Sequence, residues 1–156
     1  MAKTKELKLQ IDMVPTASWG TSLRNVIPRS KWDKLRKEVH ERNGNKCQIC
    51  GSAERLSCHE HWEFESKTKQ QKLVGLGTIC GMCHHVTHFG RSMQLERQGY
   101  LDLNAVVNHF LRVNSCKRDT FEKHLEQAAA IFNKRSQHAW KVDFGEYKHL
   151  VSKSAS

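Results

Sequence analysis

Two Cys-x-x-Cys pairs, separated by 29 residues, are the part of this chain best suited to do chemistry. The first pair is Cys47 and Cys50, and the second is Cys80 and Cys83. Four thiolates with this spacing can close the tetrahedral site that Zn²⁺ prefers. A thioredoxin-like redox site needs one such pair in a βαβ context, which the pattern lacks, and iron–sulfur ligation is the less favoured alternative. The spacing therefore predicts a structural zinc ion.

Histidines and a glutamate lie between the two pairs and directly after the second. His84 and His88 are spaced i and i+4, which places both imidazoles on one face of a helix, where they can share one metal ion. His59, Glu60 and His61 fall in a stretch that reads as a strand, so the two histidines share one side and Glu60 faces the other. If the end of this strand is distorted, His59 and Glu60 reach one site. We therefore expect a second, catalytic metal site here.

The formal net charge of +10 lies outside the cysteine-rich region. Residues 1–46 carry 11 Lys/Arg against 5 Asp/Glu, residues 47–90 carry 4 against 4, and residues 91–156 carry 11 against 7. Basic flanks around a neutral centre indicate an acidic partner, and nucleic acid is the commonest one. The side chains expected to contact phosphates are Arg24, Arg29, Lys31, Arg36 and Arg91.

Helical and strand patterns supply the elements that must position these residues. Loose alternation predicts an extended arm or edge strand over residues 5–14. Three helices are predicted from apolar residues at helical spacing: residues 31–43, 103–113 and 120–136. Their expected N-terminal caps are Ser30, Asp102 and a capping box of Asp119 with Glu122. A hairpin is expected over 56–79, followed by a short helix over 81–89 that ends at Gly90. Alternation around Val142 predicts a short strand or an extended packing segment.

We interpret the chain as one compact unit with three parts. These are a basic N-terminal arm and helix (1–46), a metal-binding core (47–90) and a C-terminal helical extension (91–156). No apolar run approaches the roughly 20 residues that span a membrane, and no signal-peptide pattern is present. A cytoplasmic, reducing compartment is expected, because paired cysteines there are more often metal ligands than disulfides.

The run from Cys47 to His88 resembles the HNH, or ββα-metal, endonucleases, in which a hairpin and a following helix hold one divalent cation. Members with a zinc knuckle carry Cys-x₂-Cys before the hairpin and Cys-x₂-Cys-His at the helix, the pattern of Cys47, Cys50, Cys80, Cys83 and His84. More narrowly, the chain is similar to a bacterial and phage branch of this family. The segments that carry this similarity are His59-Glu60-x-Trp62-Glu63, Leu73-Val74-Gly75-Leu76, Cys83-His84-x₃-His88 and Trp-Gly-x-x-Leu-Arg over 19–24.

The resemblance implies an α+β fold: a small ββα-metal, treble-clef-like core with a Cys₄ zinc knuckle, flanked by helices. It implies a metal-dependent endonuclease that hydrolyses phosphodiester bonds of DNA, with RNA as the other candidate substrate. The protein would act as a monomer or homodimer in the cytoplasm of a bacterial or phage-infected cell. His59, His84 and His88 would hold the catalytic ion, which is Mg²⁺, Mn²⁺, Ni²⁺ or Zn²⁺, and Glu60 would be the general base.

Two positions depart from the family pattern. The base position holds Glu60 where a second histidine is usual, and a shift of the alignment by one residue makes His59 the base and Cys58 the metal ligand. Gly75 stands where the family has an asparagine that holds the hairpin loop and orients the base. The alternative function is therefore a catalytically inactive, zinc-stabilised nucleic-acid-binding or adaptor protein.

Overall fold

A computed structural model describes residues 6–151, and its secondary structure is α+β. Over these residues, helices pack around a three-stranded sheet. The helices are α1 (Leu23–Val26), α2 (Arg29–Arg42), α3 (Gly81–Thr87), α4 (Phe89–Arg97), α5 (Leu103–Asn114) and α6 (Arg118–Arg135). The strands are β1 (Ser57–Glu65), β2 (Gln70–Ile79) and β3 (Lys141–Asp143), and short 3₁₀ turns occupy Thr16–Ser18 and Gly145–Leu150.

The hairpin of β1 and β2 carries one irregularity, which sets the faces of both strands. His61 pairs with Gly75 and Trp62 pairs with Leu73, so Val74 is an extra residue in β2. Such a bulge shifts the alternation by one position. As a result Leu73 and Leu76, three residues apart, are both buried on the same side of the sheet. The expected strand around Val142 is β3, which pairs in parallel with the start of β2.

Two apolar clusters form the core. One lies between α2 and the sheet and contains Trp32, Val39, Leu73 and Leu76 together with Leu23 of α1. The other joins the cysteine knuckles to the C-terminal helices. Its members include Cys83, Val86 and Phe89 before α5, and Val106, Phe110 and Phe121 on α5 and α6. The apolar stripes predicted from helical spacing are therefore the buried faces of α2, α5 and α6.

Helix α5 begins as predicted, because the Asp102 side chain accepts a hydrogen bond from the backbone N–H of Asn104 at 3.0 Å. The expected cap at Ser30 is wrong. Helix α2 begins one residue before it, at Arg29, behind Pro28, whose ring fixes φ at −59° and leaves no N–H to satisfy. The helix therefore begins where proline presets the backbone.

Two other predicted helix ends are also wrong. Helix α6 starts at Arg118, so Asp119 lies inside its first turn and accepts only from the adjacent Thr120 N–H, rather than forming a capping box. Helix α3 ends at Thr87 instead of at Gly90, because the chain turns at His88 (φ −99°, ψ 54°) and continues as α4. Gly90 lies within α4, where a Cβ would come within 3.2 Å of the Met13 sulfur, so its small size permits a close approach.

The N-terminal segment, residues 6–14, packs on the C-terminal helices and does not extend the sheet. The predicted arm starts one residue outside the described part. Leu9 is fully buried, and its backbone N–H and C=O pair with the side chain of Asn114 at 3.0 and 2.9 Å. The N–H of Ile11 donates to Nε2 of His124 at 2.8 Å. Side chains of α5 and α6 thus satisfy the backbone groups that a neighbouring strand would satisfy.

Candidate metal centres

The four paired cysteines converge as their spacing predicts. Their Sγ atoms all lie within 4.8 Å of one another, and those of Cys50 and Cys80 are 3.5 Å apart. In a tetrahedral site with Zn–S bonds of about 2.3 Å, neighbouring sulfurs are about 3.8 Å apart. The cysteines form no disulfide. Together Cys47, Cys50, Cys80 and Cys83, the cysteine cluster, could hold a metal ion such as zinc.

Each half of the cysteine cluster is a tight turn whose backbone points at sulfur. The N–H of Cys50 lies 3.4 Å from the Cys47 sulfur, and the N–H of Cys83 lies 3.4 Å from the Cys80 sulfur. Burial raises the pKa of Cys47, but backbone N–H groups, that of Cys50 first, outweigh it and lower the pKa to about 7. Stabilising one thiolate in this way favours metal binding near neutral pH, because metal must displace the thiol protons.

Three histidines converge beside the cysteine cluster. One ring nitrogen each from His59 on β1, His84 on α3 and His88 at the end of α3 lies within 4.8 Å of the others. The ring centroids are 5.4 Å apart for His59 and His88, 6.3 Å for His59 and His84, and 4.7 Å for His84 and His88. We call these three residues the histidine cluster. Its nitrogen atoms are the donor type that Zn²⁺, Ni²⁺ and related cations take in proteins.

The rings of the histidine cluster are neutral at neutral pH. Burial, reinforced by the neighbouring rings, lowers the pKa of His59 to about 3. Burial also lowers the pKa of His84 to about 4, with positive charge on His88, Arg24 and Arg91 acting in the same direction. Each ring therefore keeps an unprotonated nitrogen at neutral pH, which is the state that a metal ligand requires.

Glu60 extends to the other side of β1 and binds the start of α1. Its carboxylate accepts hydrogen bonds from the backbone N–H of Leu23 at 2.9 Å and of Arg24 at 3.5 Å. Burial raises the pKa of Glu60, while these two N–H groups oppose the rise. Glu60 nevertheless lines the same cavity of about 160 Å³ as the histidine cluster. Its part as the base stays a prediction, and its contact with α1 was not foreseen.

Cys58 would be the metal ligand if the alignment were shifted by one residue, but its side chain packs away from His59, His84 and His88. It faces the cluster around Trp32 and Leu73, on the side of β1 opposite His59. Burial, followed by the negative charge of Glu60, raises the pKa of its thiol to about 12. It is not among the described residues whose ligand atoms converge with those of His84 and His88. The geometry favours the unshifted assignment, with His59 facing the helix.

Two glycines of β2 lie opposite the two histidines of β1. His59 pairs with Gly77, and His61 pairs with Gly75, the position of the family's asparagine. A Cβ on Gly77 would come within 2.8 Å of His61 Nε2 and 2.6 Å of Gln48 Oε1, whereas a Cβ on Gly75 would meet nothing within 4 Å. Gly77 therefore makes room for the His61 ring, which lies 5.0 Å from that of His59.

A cleft of about 440 Å³ lies beside α2, and His84 of the histidine cluster is part of its lining. Three of the five basic residues singled out in the sequence, Arg24, Arg29 and Arg36, also line it. Asp33 lies between two of them, 3.8 Å from Nε of Arg29 and 3.1 Å from Nε of Arg36. Asp33 therefore offsets part of the positive charge of Arg29 and Arg36.

The other two basic residues lie outside this cleft. Lys31 is exposed on α2 and does not line it. Arg91 is on α4, and its charge contributes to the lowered pKa values of His84 and His88 after the larger effect of burial. The structure thus brings three basic side chains to one cleft and places a fourth near the histidines from another side.

Asp12 is a residue near the histidine cluster that sequence reasoning missed. Its backbone N–H donates to the carbonyl of Thr87 at 2.9 Å, and its carboxylate lies 3.5 Å from Nη1 of Arg135. It lines the 160 Å³ cavity together with His59 and His88. No local pattern could have indicated this, because the N-terminal segment reaches the site only by packing on α3 and α6.

Comparison of this chain with family models, with curated proteins and with solved structures gives no match. Within residues 6–151, each helix is too short or too polar to cross a bilayer.

Proposed function

We propose that this chain is a metal-dependent endonuclease of the HNH type, which hydrolyses phosphodiester bonds of DNA. The observation that carries the proposal is the convergence of His59, His84 and His88, of which His84 also lines a cleft that contains three arginines. A strand of a hairpin and the helix that follows it supply these imidazoles, as in a ββα-metal core. The cysteine cluster beside them holds a structural zinc ion.

The positions of the side chains support a role for each group in the proposed reaction. The histidine cluster would hold one divalent cation, which would supply stabilisation of the negative charge that develops on the phosphate and on the leaving 3′ oxygen. Arg24, Arg29 and Arg36 bind the flanking phosphates in the cleft. Glu60 accepts the proton of the attacking water. Its two oxygens offer about four acceptor positions, so the bonds from α1 leave acceptor capacity unused.

A second candidate function is a zinc-stabilised nucleic-acid-binding protein without catalytic activity. Two observations favour it. Gly75 offers no side chain where the family has asparagine, and a Cβ there would lie in open space. Glu60 is already bound to the first N–H groups of α1. Both functions use the same arginine cleft, so DNA binding alone does not separate them.

Cleavage of supercoiled plasmid by three matched proteins tests the proposal. The parent, His84→Ala and His85→Ala are incubated with Mg²⁺, Mn²⁺, Ni²⁺ or Zn²⁺, and zinc content is measured for each. His85 is adjacent on α3 but is not a member of the histidine cluster, so it is the control. We expect nicking by the parent and by His85→Ala, none by His84→Ala, and one tightly held zinc in all three.

The outcomes separate the two functions. DNA binding by all three proteins with no cleavage under any metal supports the inactive binding protein. Equal nicking by the parent and by His84→Ala contradicts a role for the histidine cluster and indicates a contaminating nuclease. A parallel assay on an RNA of the same sequence decides between the two nucleic acids.

A further inference from the structure

The sulfur of Cys83 has a hydrogen-bond partner that lies outside both cysteine turns. Backbone N–H groups within the turns approach the sulfurs of Cys47 and Cys80. Cys83 is fully buried, and its Sγ lies 3.3 Å from Nε2 of His109. His109 is on α5, 26 residues further along the chain, and only 9% of its surface is exposed. The contact therefore joins the cysteine cluster to the C-terminal helices.

The charge of a zinc–tetrathiolate site makes this contact important. Four thiolates around Zn²⁺ leave a net charge of −2. Three of the four cysteines are buried, where water cannot solvate that charge. A metal-bound thiolate carries no proton, so across the Cys83–His109 contact only the imidazole N–H can donate. The zinc-bound state therefore fixes the tautomer of His109 with its proton on Nε2.

We propose that His109 is a positioning residue of the zinc centre, whose Nε2–H donates to the Cys83 thiolate and slows the loss of zinc. The packing of α5 against α3 holds the imidazole at this sulfur. Groups that hydrogen-bond to metal ligands typically contribute 10–100-fold to metal affinity. The inference depends on zinc in the cysteine cluster and is independent of the proposed nuclease activity.

Zinc release from the folded full-length chain tests this role. The parent, His109→Leu and His109→Gln are mixed with excess of a chromogenic zinc chelator, and the rate of colour formation is measured. The amide N–H₂ of glutamine can take the place of Nε2–H, whereas leucine fills the volume without a donor. We expect release about tenfold or more faster for His109→Leu, and within about threefold of the parent rate for His109→Gln.

A matched control separates this effect from general destabilisation. His124→Leu removes another histidine of the same helical region, one that stacks on Phe110 and accepts from the Ile11 N–H, whereas the ring at the Cys83 sulfur is that of His109. We expect it to lower the melting temperature and to leave the zinc-release rate within about twofold of the parent. Equal release by His109→Leu and the parent overturns the proposal, as does equally fast release by His124→Leu.

If His109→Leu does not fold, His109→Asn takes its place and is compared with His109→Gln. The asparagine side chain is one methylene shorter than that of glutamine, so its amide cannot reach the position of Nε2. Faster release by His109→Asn than by His109→Gln supports the hydrogen bond. Equal release by the two variants contradicts it.

Discussion

The arginine cleft leads to a quantitative prediction about salt. For duplex DNA, each phosphate neutralised by a protein cation contributes about −0.9 to the slope of log K against log salt concentration. If Arg24, Arg29 and Arg36 each contact one phosphate, they contribute about −2.7 to that slope. Raising the salt concentration from 50 to 200 mM then weakens binding about 40-fold through these contacts alone.

Replacing all three cleft arginines with alanine is the matching perturbation. We expect the triple variant to bind duplex DNA with a slope smaller in magnitude by at most about 2.7. The single variants Arg29→Ala and Arg36→Ala are expected to change the slope by less than about 0.9 each, because both side chains share the compensating charge of Asp33. Binding is measured by fluorescence anisotropy in a His84→Ala background, so that the labelled duplex is not cleaved during the titration.

Lys31→Ala is the control for this experiment. It removes the same unit of charge from the same helix, but Lys31 does not line the cleft. We expect its slope to stay within about 0.3 of the parent, well below the 0.9 of a phosphate contact. An unchanged slope in the triple variant refutes the assignment of the cleft as the path of the DNA backbone. If Lys31→Ala reduces the salt slope as much as Arg24→Ala does, the phosphate contacts lie on the outer face of α2 instead.

Three further predictions concern the hairpin and the histidines. Gly77→Ala should lower the free energy of unfolding by about 1–3 kcal/mol, because its Cβ would overlap side-chain atoms of Gln48 and His61. Gly75→Ala is the control and should change the free energy of unfolding by less than about 0.5 kcal/mol, because its Cβ meets open space. Urea denaturation of the two variants measures the difference. Thr78→Val should lower the free energy of unfolding by about 1–3 kcal/mol in the same assay. The Thr78 hydroxyl lies 2.8 Å from Nδ1 of the buried His40, and valine leaves that nitrogen without its partner. Metal-free protein should lose stability as pH falls from about 6.5 towards 4. The folded-state pKa values of His59 and His84 are lowered to about 3 and about 4, so these rings take up protons in the unfolded chain before they do in the folded protein. Equal free energies of unfolding at pH 7 and pH 5 contradict the buried, neutral state of these rings.

The parts of the site that could be predicted depend on local geometry. A Cys-x₂-Cys turn and an i, i+4 histidine pair fix their own spacing, so the cysteine cluster and the approach of His84 to His88 follow from a few residues each. The approach of His59 to the helix was expected from the resemblance to a ββα-metal core, in which a hairpin strand and the following helix supply the ligands. These features require no knowledge of how distant segments pack.

The parts that could not be predicted come from long-range packing. The alternation of β1 predicts that Glu60 faces away from the histidines, but nothing in its neighbourhood indicates that the start of α1 binds it. The bulge at Val74 could not be predicted from the alternation of apolar and polar residues. In a regular strand, residues three apart such as Leu73 and Leu76 face opposite sides, and only the bulge brings them to one face. Asp12 and His109 reach the two clusters from segments that no motif connects to them.

The anchoring of the N-terminal segment has a consequence for synthesis. The hydrogen bonds that hold Leu9 and Ile11 join residues 105 and 113 positions apart in the chain. A ribosome adding about 5–20 residues per second makes the partners of these two residues roughly 5–20 s after the residues themselves. The side chains of Leu9 and Ile11, which are buried in the folded protein, therefore lack these partners during that interval. Until these long-range contacts form, the segment is open to aggregation or to capture by a chaperone.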